Sequence, residues 1–255
     1  MGFALFSLLY WLFFILSCFL FFGIALLIWI TTFPFDRQQR LQHWWSCVWG
    51  WFYIWTNPYW PLKIEGREKI DRSAVYVAVS NHQSIIDILV INSLFFHFKW
   101  VSKKENLYIP FVGWNMVLNR YVILDRASRK SFIRMMKDCR RHIRQGSSVM
   151  IFPEGTRSTD GNIRSFKDGA FRLAHQMNCP VLPVVLDGTG ESLPRKGFII
   201  RKKTPIRVRV LDPVTPDRFS DIEPSELSTM VRGMMESALD DMRKGRPAVD
   251  SLLIN

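Results

Sequence analysis

Charged residues are missing from the beginning of this 255-residue sequence. No Asp, Glu, Lys or Arg occurs before Asp36, so the 34 basic and 22 acidic residues all lie in the rest of the chain. Paired cysteines are missing too, because the four cysteines are widely spaced and form no C-x-x-C pair. This spacing argues against a zinc site and a disulfide framework, and we expect a reducing, cytosolic setting.

The uncharged beginning contains an almost unbroken apolar run over residues 3–30. As a helix it would be about 42 Å long, against a hydrocarbon core of about 30 Å. The run therefore predicts one tilted transmembrane helix, or a helix that is deeply embedded in one leaflet. Positive charges, Arg37 and Arg40, follow the run and none precedes it, so the positive-inside rule places the rest of the chain on the cytoplasmic side.

Aromatic residues dominate the next segment, residues 41–56, which Asn57 and Pro58 close. Trp and Tyr favour the lipid headgroup region because their rings have an apolar body and a hydrogen-bonding tip. The segment predicts a short helix along the membrane interface, with a buried core helix as the alternative. We expect residues 1–60 to form a membrane-binding helical module and residues 61–255 to form a separate domain.

Short apolar runs alternate with amphipathic stretches after Leu62. The runs that predict strands are rich in β-branched residues and cover 75–79, 121–123, 149–152, 181–186 and 206–210. Stretches around 85–97, 129–145 and 166–177, and a last one after Pro224, predict amphipathic helices. Pro183 lies within one run and predicts an edge strand or a bulge. The alternation predicts an α/β domain, a sheet flanked by helices.

A histidine and an aspartate follow the first of these predicted strands, as His82 and Asp87 in the segment Ser80-Asn81-His82-Gln83-Ser84-Ile85-Ile86-Asp87. If a helix starts near Ser84, the change of direction between loop and helix lets the carboxylate reach the imidazole. Such a pair can take a proton from a hydroxyl group. Ser84-x-x-Asp87 also matches a capping box, in which the carboxylate only satisfies backbone donors.

A second polar segment, Phe152-Pro153-Glu154-Gly155-Thr156-Arg157-Ser158, comes directly after another predicted strand. Loops at strand ends are where open α/β sheets bind ligands. Gly155 lets the backbone approach a ligand, Arg157 suits a phosphate, and Glu154 can orient that arginine or the substrate. A structural Arg–Glu ion pair is the alternative.

These motifs resemble those of the glycerolipid acyltransferases, specifically the 1-acyl-glycerol-3-phosphate (lysophosphatidate) acyltransferase family. The resemblance covers roughly residues 62–213, beginning with Asn81-His82-x4-Asp87 and the 152–158 segment. Further matches are Lys104, Leu107, Gly113 and Arg126 for the family's second motif, residues 181–186 for its fourth, and the stretch Phe166-Lys167-Asp168-Gly169-Ala170. Two departures are a spacing between Leu107 and Gly113 that is one residue short, and Asp168 where a Lys is common.

The resemblance implies a glycerolipid-acyltransferase-type sheet and a 1-acylglycerol-3-phosphate O-acyltransferase. An acyl chain would pass from acyl-CoA or acyl carrier protein to the sn-2 hydroxyl of 1-acyl-glycerol-3-phosphate, making phosphatidic acid for phospholipid synthesis. His82 would be the general base and Asp87 its orienting partner, with no metal, no other cofactor and no acyl-enzyme. The implied substrate-binding residues are Lys104, Arg126, Glu154, Gly155, Thr156 and Arg157.

Two other functions stay open at the level of sequence. One is acylation of another lyso-lipid, such as lysocardiolipin, lysophosphatidylglycerol or lyso-ornithine lipid, and the other is a non-catalytic membrane adaptor. No nucleic-acid motif accompanies the positive charge, so membrane lipids and the two substrates are the predicted partners. The other histidines, His43, His97, His142 and His175, have no carboxylate at a suggestive spacing and are predicted to lie at the surface or at an interface.

Positive charge is concentrated on the predicted helix at 129–145. Five cations fall on one face of it: Lys130, Arg134, Lys137, Arg141 and Arg144. Such a face can attract anionic headgroups or an acidic carrier protein, or it can simply be solvated.

Overall fold

The computed structural model describes residues 2–194, 197–200 and 203–245. Within these ranges one sheet contains seven strands: β1 (Leu62–Glu65), β2 (Val77–Ser80), β3 (Phe98–Lys103), β4 (Val122–Leu124), β5 (Ser148–Ile151), β6 (Val181–Asp187) and β7 (Ile206–Val210). The α-helices of the same ranges are α1 (Gly2–Thr32), α2 (Arg40–Trp55), α3 (Asp87–Asn92), α4 (Val112–Leu118), α5 (Arg129–Arg144), α6 (Gly169–Met177), α7 (Thr189–Ser192) and α8 (Pro224–Lys244).

The strands lie in the order β1-β7-β6-β2-β5-β3-β4. Neighbouring strands are parallel except at the junction of β6 with β7. The carboxyl ends of β6, β2, β5, β3 and β4 therefore meet at one edge, which we call the carboxyl edge. This arrangement confirms the predicted α/β sheet and places the loops after these strands where such sheets bind ligands.

Helices cover both faces of the sheet. On one face, Cys139 of α5, Phe171 of α6 and Val231 of α8 pack in a core with alternate residues of the strands. On the other face, α3 and the buried side of α2 pack together with Tyr10 of α1. Thus α1 and α5 lie on opposite faces of the sheet.

Two strands, β1 and β3, were not predicted from the sequence. Their sequences, LKIE and FKWVSK, carry charged residues and lack a run of β-branched residues. The lysine inside β3, Lys99, is nevertheless buried, and its ammonium donates to the carbonyl oxygens of Gln38 at 2.7 Å and Asn119 at 2.8 Å. Tertiary contacts therefore form β3 where local pattern does not indicate a strand.

Pro183 lies in β6, an interior strand, so the edge-strand alternative is wrong. The pairing shifts across it, because Val184 pairs with Val210 whereas Val181 pairs with Val214. Between these two pairs the β7 side therefore has one residue more than β6, which is a bulge. It lies next to Pro183, which has no backbone N–H to donate.

The helices of residues 1–60 pack against the domain. Helix α1 is long and apolar enough to cross a membrane, by length and composition. It also packs against α2 and α4, with ring centroids 4.3 Å apart for Phe14 and Tyr53 of α2 and 5.4 Å apart for Phe22 and Trp114 of α4. Helix α2 buries one side, as the core-helix alternative predicts, and exposes Trp44, Trp51 and Trp55 on the other.

Of the two positions predicted for the histidines, surface or interface, the surface position is wrong for His43 and His142, which are buried. His43 lies on the packed side of α2, where its Nδ1 is 2.8 Å from the Tyr121 hydroxyl and its Nε2 is 3.1 Å from the Phe96 carbonyl oxygen. Burial, reinforced by the positive charge of Lys99, lowers the pKa of His43 to about 3. Hydrogen bonding within the fold replaces the solvent contact that we expected.

Candidate active site

The carboxyl edge brings the predicted site residues together. His82 follows β2, the loop 152–158 follows β5, Lys104 follows β3, and Arg126 lies two residues beyond β4. These four strands are neighbours in this order, and adjacent strands lie about 4.8 Å apart. The base and the three cations of the sequence analysis therefore line one edge within a few strand spacings.

His82 and Asp87 form the predicted pair. The His82 Nδ1 lies 2.7 Å from Asp87 Oδ2, and the same oxygen accepts the backbone N–H groups of Gln83 at 2.7 Å and Ser84 at 2.9 Å. The carboxylate is fully buried, whereas 17% of the imidazole side chain is exposed. Asp87 thus serves both interpretations: it accepts backbone N–H groups of the loop that leads into α3, and it holds the imidazole through Nδ1.

Phe152 fixes the plane of the imidazole. Its ring stacks on His82 with centroids 4.0 Å apart and an angle of 11° between the planes, and Trp100 stacks behind it at 5.5 Å. Phe152 had no predicted role of its own. Its place as the residue directly after β5 was the signal that it would face the neighbouring loop after β2.

Glu154 joins the two loops at the backbone of His82. Its buried carboxylate accepts the N–H of His82 at 2.8 Å and the N–H of Arg164 at 3.1 Å, while the Ser158 N–H donates to the His82 carbonyl oxygen at 2.7 Å. Burial raises the pKa of Glu154 to about 7, although the two N–H donors oppose the shift. Its carboxylate therefore positions the loops that carry His82 and Arg157.

Gly155 turns the 152–158 loop. Its φ of 71° lies in the left-handed region that favours glycine, and its N–H donates to the Phe152 carbonyl oxygen at 3.0 Å. Thr156 and Arg157, the next two residues, are half-buried. The loop thus keeps two polar side chains at the carboxyl edge.

Asn81 explains why an amide precedes the histidine. Its side chain donates to the Leu186 carbonyl oxygen at 2.9 Å and accepts the Leu186 N–H at 2.8 Å. This pair of bonds continues the pairing of β2 with β6 beyond the last residue of β2 and holds the loop at His82.

Known proteins are similar to this chain in sequence and fold. The family model described as Acyltransferase matches residues 61–187. A 1-acyl-sn-glycerol-3-phosphate acyltransferase from Limnanthes douglasii is 34% identical over 197 residues, which are 76% of this chain and 69% of that protein. The chain belongs to the acyltransferase family.

Other relatives extend this likeness. An acyltransferase of the same name from Chlamydomonas reinhardtii is 40% identical over 164 residues, 63% of this chain and 48% of that protein. The crystal structure of the 1-acyl-sn-glycerophosphate (LPA) acyltransferase PlsC from Thermotoga maritima superposes with a TM-score of 0.78 at 25% identity, covering 97% of this chain and 98% of that one. The chain spans about half the length of the first curated relatives that it matches.

In this acyltransferase domain the second motif is built around a close backbone contact. A Cβ on Gly113 would lie 2.1 Å from the carbonyl oxygen of Leu107, so only glycine fits this position without displacing the backbone. The contact closes the turn at Lys104–Tyr108 against the start of α4. The one-residue difference in spacing therefore leaves the two residues in direct contact.

The cations of this motif lie at the surface of the acyltransferase domain. The Lys104 ammonium forms an ion pair with Asp125 and keeps 46% of its side chain exposed. Arg126, next to Asp125 in the chain, is exposed. The ion pair thus brings the turn after β3 close to the residues that follow β4.

Proposed function

We propose that this acyltransferase transfers an acyl chain from acyl-CoA or acyl carrier protein to the sn-2 hydroxyl of 1-acyl-glycerol-3-phosphate, making phosphatidic acid. The observation that carries the proposal is the His82 imidazole, held by Asp87 at 2.7 Å beside the loop of Arg157. The family model covers these residues, and relatives with this named activity match 63% and 76% of the chain.

His82 is the general base of the proposed reaction. Because its Nδ1–H donates to Asp87, Nε2 is the basic nitrogen, and it makes no hydrogen bond within the described ranges. Nε2 takes the proton of the sn-2 hydroxyl while that oxygen attacks the carbonyl carbon of the thioester. Asp87 stabilises the imidazolium that forms. The adduct then breaks its carbon–sulfur bond, and the imidazolium returns the proton to the departing thiolate.

This direct transfer uses the acyl donor as co-substrate, with no metal, other cofactor or covalent acyl-enzyme. The acceptor phosphate is bound by Lys104, Arg126 and Arg157, which follow neighbouring strands at the carboxyl edge. Gly155 and Thr156 let the loop backbone approach it. Phosphate binding orients the sn-2 hydroxyl toward Nε2.

The acyl donor is anionic in either form, and the basic face of α5 suits it. The five cations of this face are all exposed. The face is on the side of the sheet opposite α1. This position favours the donor or its acidic carrier protein over membrane lipid as the partner of α5.

We further propose that α1 attaches the protein to the membrane, with the catalytic domain on the cytoplasmic side. Its outer side is apolar and exposed, whereas its inner side contacts α2 and α4 along its length. A helix packed in this way suits an orientation along one leaflet. Attachment keeps the acyl chains in lipid, because exposing them would cost about 0.8 kcal/mol per CH₂.

The test is a matrix of purified full-length protein with acyl-CoA and acyl carrier protein donors against several lysophospholipids, with each product identified by mass. The proposal predicts phosphatidic acid as the main product. Faster acylation of a lyso-lipid without a phosphomonoester would contradict lysophosphatidate as the acceptor, and no turnover with any pair would support a non-catalytic adaptor.

A further inference from the structure

Lys167 has no role in the mechanism proposed above, yet its side chain lies against the loop that carries Arg157. It follows Phe166 in the segment that leads from this loop into α6. Its backbone N–H donates to the Pro153 carbonyl oxygen at 3.0 Å, which fastens the lysine to the start of the loop. The backbone of Lys167 is therefore tied to the loop.

The absence of a side chain at Gly155 makes room for the lysine. A Cβ built on Gly155 would lie only 3.1 Å from both Cε and Nζ of Lys167. The ammonium group thus lies close against the Cα of Gly155, where a Cβ would make a tight contact with it. Gly155 consequently serves two purposes, since it turns the loop with a φ of 71° and lets a cation approach the backbone of the loop.

The positive charge of Lys167 is available to a ligand. The residue is exposed, and its ammonium forms no hydrogen bond or ion pair with any residue in the described parts of the chain. The nearby acids are engaged elsewhere: Glu154 binds backbone N–H groups, and the Asp168 carboxylate lies 4.0 Å from Arg172. An ammonium offers three hydrogen-bond donors, which suit the oxygens of a phosphate.

We propose that Lys167 binds the phosphate of the lysophospholipid acceptor at the 152–158 loop, together with Arg157. This inference rests on the proposed function and adds a residue to its phosphate site. A guanidinium supplies a planar pair of donors, whereas an ammonium supplies a compact charge, so the two groups can contact different oxygens of one phosphate. An acyl-CoA donor carries phosphate as well. The test therefore separates binding of the acceptor phosphate from binding of the donor phosphate.

The experiment measures initial rates of the full-length Lys167→Ala protein in lipid vesicles while acceptor and donor are varied separately. We expect the KM for 1-acyl-glycerol-3-phosphate to rise about tenfold, the size of one lost charge-assisted contact, with kcat little changed. The KM for the donor and the rate with an acceptor that lacks phosphate should stay the same. Lys167→Arg keeps the charge and should restore much of the affinity.

Arg218→Ala is the matched control, because it removes one exposed cation from the turn at Pro216–Arg218, near the edge where β6 begins and opposite the site. An unchanged acceptor KM in Lys167→Ala, an equal rise in Arg218→Ala, or a rise confined to the donor would overturn the inference. If the wild type transfers no acyl chain, the proposed function fails instead. Titration of the wild type and Lys167→Ala with inorganic phosphate then tests Lys167 alone. We expect Lys167→Ala to bind phosphate more weakly than the wild type, and equal binding would contradict the inference.

Discussion

Three residues, one at the start of α3 and two in the 152–158 loop, hold the imidazole of His82 in one orientation. Asp87 binds its Nδ1, Phe152 stacks on its ring, and Glu154 accepts its backbone N–H. A base must lie within hydrogen-bond reach of the proton that it takes, so such positioning matters as much as its basicity. The orientation of His82 therefore depends on the residues packed around it as well as on its own backbone.

Glu154→Gln tests this positioning. An amide oxygen replaces only one of the two carboxylate oxygens, so one of the N–H groups of His82 and Arg164 loses its acceptor. A buried N–H without a partner costs about 1–3 kcal/mol. We expect a lower midpoint of thermal unfolding and a lower kcat; wild-type values for both would show that the two loops are held by other contacts.

The raised pKa of Glu154 adds a pH dependence. In the folded protein the Glu154 carboxyl keeps its proton up to about pH 7, whereas an ordinary glutamate carboxyl has a pKa of 4.5. The proton on Glu154 therefore stabilises the folded protein fully below pH 4.5, and this stabilisation is lost as pH rises through about 7. Thermal unfolding between about pH 5 and about pH 8 should show a fall in wild-type stability that is smaller in Glu154→Gln. Parallel curves for the two proteins would count against the assignment.

Gly113→Ala tests the backbone contact of the second motif. The added Cβ would meet the Leu107 carbonyl oxygen at 2.1 Å and push away the turn that carries Lys104. We expect a lower unfolding midpoint together with a higher acceptor KM. In Gly233→Ala, the control in the middle of α8, the Cβ meets no atom within 4 Å, so stability should rise by about 0.5–1 kcal/mol. A Gly113→Ala protein as stable as wild type would refute the contact.

At the scale of elements, local pattern predicts some segments well and others poorly. The strand 206–210 and the helix near 129–145 agree with β7 and α5, because strong alternation or amphipathicity reports burial directly. β3 was missed because its burial depends on distant residues, such as the carbonyl groups of Gln38 and Asn119 that accept from Lys99. Contacts of this kind leave no periodic signal in the sequence.

Helix α1 supports a prediction about membrane attachment. Two of its outer residues, Leu16 and Phe19, are 64% and 73% exposed. Replacing both with Lys should release the full-length protein from vesicles, because charged groups are costly in hydrocarbon. Ile133→Lys on α5, where the original residue is 59% exposed on the opposite face, is the control and should leave sedimentation unchanged. A double variant that still sediments completely would exclude a dominant role for α1.

Substitution is a cleaner test than deletion because α2 is part of the packed structure. Tyr53 and Ile54 are buried, so removing residues 1–60 would uncover apolar surface of the remaining domain. The proposed boundary between the membrane-binding module and the catalytic domain therefore separates roles in function, while α2 contributes to the core of both.

At the scale of the whole molecule, the sheet separates the two surfaces that the reaction needs. The apolar side with α1 faces lipid in our proposal, the basic side with α5 faces the donor, and the carboxyl edge between them holds His82. The motif residues predicted this site because each follows a strand. Phe152 and Lys167 were given no part in it, since stacking on His82 and the approach to Gly155 depend on the fold.

The most direct test of the account is the rate at which folded His82→Ala protein forms phosphatidic acid from 1-acyl-glycerol-3-phosphate, relative to wild type. Circular dichroism and the unfolding midpoint establish that the variant is folded. Loss of the general base predicts a fall in kcat of at least about 100-fold. A folded His82→Ala protein that keeps the wild-type rate would contradict the proposal that this imidazole activates the lipid hydroxyl.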